Sequence, residues 1–158
     1  MFERFTETAR RIIRTAHEEA HRRHHRSVDP EHLLFAMLQQ RDGIALAVLD
    51  RLGVQRGAVT DDLEGVLSSL GAAAEPVNEI PFGMPTKRAL ERAIEQARRL
   101  ESRWVGTEHL LLGLLHDGHS QASRTLGAHG VNFQTTLATV SSLLGEPTEP
   151  GPRHPAHE

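Results

Sequence analysis

Two Glu-His dipeptides, Glu31-His32 and Glu108-His109, carry the side chains in this sequence best suited to proton transfer. A carboxylate beside an imidazole is raw material for general acid–base catalysis. Each dipeptide opens an apolar run, Leu33-Leu34-Phe35-Ala36-Met37-Leu38 in one case and Leu110-Leu111-Leu112-Gly113-Leu114-Leu115 in the other. Neighbours on a helix point about 100° apart, so the two groups of each dipeptide need not meet. The same residues have an architectural reading: a glutamate at a helix start is favoured by the dipole, and a histidine there packs or caps. Both readings stand at this level.

Other chemistry is missing. The single lysine, Lys87, sits in Pro85-Thr86-Lys87-Arg88, which is not a phosphate-binding loop. The zinc-protease, nucleophile-elbow and dinucleotide-binding motifs are absent, and no enzyme activity or cofactor is expected. The sequence has no cysteine, which excludes thiol and disulfide chemistry and permits a cytoplasmic location. The run His21-Arg22-Arg23-His24-His25-Arg26 contains no carboxylate or thiol to complete a metal site and reads as a solvated helix end. A net charge of −3 gives no general attraction to nucleic acid, and no segment reads as a signal peptide or membrane span.

The elements that must position the dipeptides come in two copies. At a constant offset of 77 residues, Phe5 falls on Phe82, Arg11 on Arg88, Val28 on Val105, Ala45 on Ala122 and Gly53-Val54 on Gly130-Val131. Seventeen of the fifty positions from Phe5 to Val54 match their partners. Each copy predicts four helices. In the first, Thr6 caps a helix with Ala9, Ile12, Ile13, Ala16 and Ala20 as its stripe, and Asp29-Pro30 starts the second helix. The third runs from about 44 to 52 before Gly53, and the fourth from about 59 to 70. In the second copy, helices are expected at about 86–102, from Gly106 or Thr107, at about 120–129, and after an Asn132 cap. The expected organisation is all-α: eight helices in two pseudo-two-fold-related four-helix repeats spanning 1–70 and 86–145. A linker covers 71–85 and a Pro-rich disordered tail 146–158.

With these residues in view, the chain resembles the N-terminal, double Clp repeat domain of Clp-family AAA+ unfoldases, most closely the Clp C type. The likeness covers about 1–145. It rests on the opening Met1-Phe2-Glu3-Arg4-Phe5-Thr6-Glu7, on Ile80-Pro81-Phe82, and on Val105-Gly106-Thr107-Glu108-His109-Leu110-Leu111-Leu112-Gly113-Leu114. The resemblance implies a monomeric, non-enzymatic domain that receives substrates and adaptors of a Clp protease, here as a stand-alone protein without the ATPase. It acts as a decoy, a sequestering protein or an adaptor; the alternative is a regulatory protein docking on a Clp ATPase or its partners. It also implies phosphoarginine binding at Glu108 and Thr107, and through the repeat at Glu31. A carboxylate would accept from the guanidinium and helix N–H groups would hold the phosphate. Asp29-Pro30 removes an N–H and adds negative charge, so the Glu108 site is expected to bind better. A second implied surface takes hydrophobic or cyclic peptides at Phe2, Phe5 and Phe82, with Lys87 and Glu91 at its rim.

Overall fold

The structure, a computed structural model, describes residues 1–75 and 77–144. The expected tail at 146–158 lies outside the described residues. Among the described residues eight helices follow one another: α1 Glu7–Arg22, α2 Pro30–Leu38, α3 Ile44–Arg51, α4 Arg56–Ser69, α5 Met84–Arg99, α6 Thr107–Leu115, α7 Gln121–Ala128 and α8 Phe133–Leu144. Thr6 and Asn132 act as the expected caps, and Ser120, expected as the first residue of a helix, is a cap as well. Thr6, Ser120 and Asn132 accept from the backbone N–H of Ala9, Ser123 and Thr135. Gly53 and Gly130 take positive φ after α3 and α7, and the following N–H groups bond back to Leu49 and Leu126. α4 and α5 begin earlier than expected, at Arg56 and Met84. Pro85 falls within the first turn of α5, where a missing N–H costs nothing, rather than in the linker.

The repeats interlock. α1 packs on α2 and α5 on α6 within each repeat, but α3 lies on α6 and α8, and α7 on α2 and α4. The leading arms cross as well. Phe5 forms a parallel bridge with Val105, and Phe82 forms the twin bridge with Val28. Four backbone bonds hold these crossings: Thr6 N–H to Val105 O, Val105 N–H to Arg4 O, Val28 N–H to Pro81 O and Gly83 N–H to Val28 O, all 2.8–3.0 Å. One apolar core runs through both repeats, with Phe5, Ile12, Leu33, Leu34, Leu90 and Leu111 among its fully buried members.

α5 and α6 cross so closely that a Cβ on Gly113 would lie 2.3 Å from the Ala89 carbonyl oxygen. Its twin in repeat one is the fully buried Ala36, so this requirement belongs to repeat two alone. Gly113→Ala is expected to destabilise the protein by about 1–3 kcal/mol through overpacking against backbone. Gly65→Ala in α4, where nothing lies within 4 Å of the added carbon, is expected to stabilise it by about 0.5–1 kcal/mol. Urea unfolding of the two variants should show midpoint shifts of opposite sign.

Candidate functional site

The Glu-His dipeptides sit at the N-termini of α2 and α6, and their four side chains are buried. His32 and His109 occupy the third helical position. Nδ1 of His32 accepts the Asp29 N–H at 2.8 Å, and Nδ1 of His109 accepts the Gly106 N–H at 2.9 Å. This is the reach-back half of a capping box, made by imidazole instead of Glu or Gln. An accepting Nδ1 is unprotonated, so the hydrogen-bond network assigns the His32 proton to Nε2. That nitrogen lies 2.8 Å from Nδ1 of His25, which accepts it. The His25 ring in turn reaches the backbone of Leu67 near the end of α4. The turn after α1 aims His25 inward: His24 takes the left-handed conformation (φ 58°) and the His25 N–H closes on the Ala20 carbonyl at 2.9 Å. Burial pushes the His32 imidazole down to about 4 and lowers His25 as well, the latter helped by the Arg23 charge.

Neither glutamate is seen hydrogen-bonded to its neighbouring histidine. Glu108 Oε2 stays 3.9 Å from His109 Nε2, beyond hydrogen-bond distance. Glu31 points across the repeat boundary, where Oε2 accepts the Ala122 N–H in the first turn of α7 at 3.1 Å. Burial raises the Glu31 carboxyl above the ordinary carboxylate range, with the Ala122 bond opposing the rise. The reciprocal bond comes from Thr107, whose Oγ1 accepts the N–H of Ala45, the twin of Ala122, at 3.0 Å. Gly106 is thus the cap of α6, and the Thr107 hydroxyl caps α3 of the other repeat. The twin of Thr107 is Pro30, which has no hydroxyl; the longer side chain of Glu31 reaches instead.

These contacts separate the expected site residues. Glu108 and Thr107 are 0% and 1% exposed, whereas Glu31, at 7%, lines a cleft of about 330 Å³ with Asp29, Arg88, Asp117 and His119. Arg88, Asp117 and His119 escaped the sequence reading; the register that places Arg88 on Arg11 is the one signal that bears on them. Phe2 and Phe82, both half-buried, meet edge-on with centroids 6.1 Å apart, and His17 packs on Phe82 at 5.3 Å. Phe5 is 2% exposed and braces Phe2 from inside at 5.1 Å, so it supports this face without forming its surface. Lys87 and Glu91 are exposed one turn apart on α5, whose first turn follows Phe82. Among the described residues no group of three His, Asp or Glu side chains is arranged to hold a metal ion, and no helix is long and apolar enough to cross a membrane.

The family model described as "Clp repeat (R) N-terminal domain" matches residues 4–129. The chain is 39% identical over 149 residues to the chloroplastic chaperone protein ClpC1 of Oryza sativa subsp. japonica, a match covering 94% of this chain and 16% of that protein. The Hsp104 N-terminal domain of Candida albicans superposes with a TM-score of 0.79 at 22% identity, covering 90% of this chain and 93% of that one. A ClpV N-domain solved in complex with a VipB peptide superposes with a TM-score of 0.72 at 18% identity, covering 91% and 89%.

The neutral His25–His32 pair makes stability depend on acid. A depressed histidine binds fewer protons folded than unfolded, so its contribution is complete above pH 6.5 and is lost as pH falls toward about 4. For His32 the span corresponds to roughly 3 kcal/mol. Glu31, raised in the fold, contributes with the opposite sign. Urea midpoints between pH 7 and pH 4 should fall for the native sequence and fall less for His32→Gln, the difference isolating this histidine.

Proposed function

Since the chain belongs to the Clp repeat N-terminal domain family, we propose that it is a non-enzymatic docking module of a Clp-type unfoldase and protease system. It captures apolar peptide segments on the face built around Phe2 and Phe82. One observation carries this reading: two half-buried aromatic rings, brought from the arm and the linker to 6.1 Å, are held in place by the crossed backbone bridges. A peptide side chain gains apolar contact there without having to order a loop first. Lys87 and Glu91 add a charged rim of both signs. The likeness in fold to an N-domain solved in complex with a peptide is in keeping with a peptide-binding role. Such a face suits delivery of clients, competition for them, or sequestration of apolar segments, cyclic peptides included. Docking on a Clp ATPase or its adaptors is the alternative use of the same surface.

The Glu31 cleft favours a second reading, phosphoarginine recognition. Its carboxylate and the Arg88 guanidinium line one cavity, matching the guanidinium and phosphate ends of the ligand. Burial ranks Glu31 above the enclosed Glu108, the reverse of the order expected from Asp29-Pro30.

Calorimetric titration with a leucine- and phenylalanine-rich peptide and with phosphoarginine tests both readings. Phe82→Ala is expected to weaken the peptide by about 1–2 kcal/mol, several-fold to about thirtyfold. Glu31→Gln keeps an acceptor for Ala122, hence the fold, and is expected to weaken phosphoarginine about tenfold. Absence of saturable peptide binding to the native protein would reject the first reading. Phosphoarginine binding that survives Glu31→Gln but not Glu108→Gln would restore the original order of the two sites.

A further inference from the structure

A groove separate from the Phe2–Phe82 pair lies between the arm and the second half of α5. It measures about 440 Å³, with Met1, Phe5, Ile94, Ala97 and Val105 as its apolar wall and Arg4, Arg98 and Arg103 at its edge. Three large apolar side chains are exposed among the described residues, and two of them, Met1 at 59% and Ile94 at 37%, line this groove.

The 77-residue register supplies an internal control. The twin groove, between the linker and α1, measures about 550 Å³ and is lined by His17, Glu18, His21, Asn78, Glu79 and Ile80. Where this groove has Met1, Ile94, Arg98 and Arg4, the twin positions hold Asn78, His17, His21 and Pro81. One backbone framework thus carries Met1, Ile94 and three arginines in one copy and Asn78, two histidines and two glutamates in the other. Phe5, Ala97 and Val105 belong to the buried core, whereas Met1, Ile94 and the arginines lie outside it and give the first groove its character.

The charges at its edge are unequal in availability. Arg98 is clamped by Glu95, three residues back along α5. Glu3, the lining's acid, is engaged by the Met1 amino group. Arg4 and Arg103 are exposed and form no ion pair with any described residue. We propose that this groove docks an acidic, apolar peptide segment of a protein partner, its aliphatic side chains against Met1 and Ile94 and its carboxylates on Arg4 and Arg103. Bidentate guanidinium–carboxylate pairing beside an apolar floor selects by charge sign as well as by area.

The test uses a short fluorescein-labelled peptide in which leucines alternate with glutamates, beside the same peptide with lysines in place of the glutamates. Fluorescence anisotropy should show the acidic peptide binding at least about tenfold tighter than the lysine version. Ile94→Asp should weaken the acidic peptide about tenfold, and Arg4→Glu with Arg103→Glu should reverse the preference. All three side chains are exposed, and circular dichroism of each variant confirms the native fold. Phe82→Ala should leave this peptide's affinity unchanged, which separates the groove from the aromatic face. No saturable binding at millimolar protein, equal affinity for both peptides, or binding lost to Phe82→Ala but not to Ile94→Asp would each overturn the proposal.

Discussion

The crossed pairing of the two arms governs the rest of this molecule. Phe5 and Phe82 each lead into the first helix of one repeat while bridging to the segment before the second helix of the other. Each crossing buries backbone donors and acceptors that would be costly to leave without partners away from water. It also fixes register: with Val28 and Val105 held, the starts of α2 and α6 are placed to within a hydrogen bond. Glu31 and Thr107 can then reach the first turns of α7 and α3 across the boundary. The inter-repeat contact is therefore polar and directional at its edges and apolar at its centre, which defines one arrangement where apolar packing alone would tolerate several.

The copies have diverged by compensating exchanges at equivalent crossings. In one, Thr6 carries the capping oxygen and its N–H bonds to the Val105 carbonyl across the bridge. In the other, Gly83 is bare and the Asp29 carboxylate fills its place, with Oδ1 2.8 Å from where a Cβ would stand. The same logic moves a cross-boundary cap from Thr107 to Glu31 because Pro30 has no hydroxyl. Both exchanges conserve a hydrogen bond or a volume while changing what the surface offers. The buried Glu31 of repeat one still lines a cleft, and the groove along α5 keeps two exposed apolar side chains, Ile94 of that helix and Met1 of the crossing arm.

The helices were legible from the sequence because their signals are local: stripe, cap and stop lie within a few residues of one another. α1, α2, α3 and α7 match their expected bounds closely. The start of α5 was misplaced because Pro85 reads equally as a linker or a first-turn residue. The site was less legible. Nothing local tells whether Glu31 meets His32 or a helix N-terminus 91 positions away, or that Thr107 caps a helix of the other repeat. His25 reads in sequence as part of a solvated basic run. It is buried because His24, a non-glycine residue in a left-handed conformation, turns the chain there, and composition carries no sign of that.

The crossed bridges also bear on how such a duplication arises. A single repeat alone would carry an unpaired arm and a second helix whose leading strand lacks its partner. Its third helix would lose most of its neighbours, since α3 and α7 pack chiefly across the boundary. Two identical copies would satisfy all of these at once by exchanging arms about a two-fold axis. The ancestral unit consistent with this fold is a swapped homodimer, and gene fusion through the linker would have turned an equilibrium between chains into a permanent neighbour. Once fused, the two halves no longer had to stay identical.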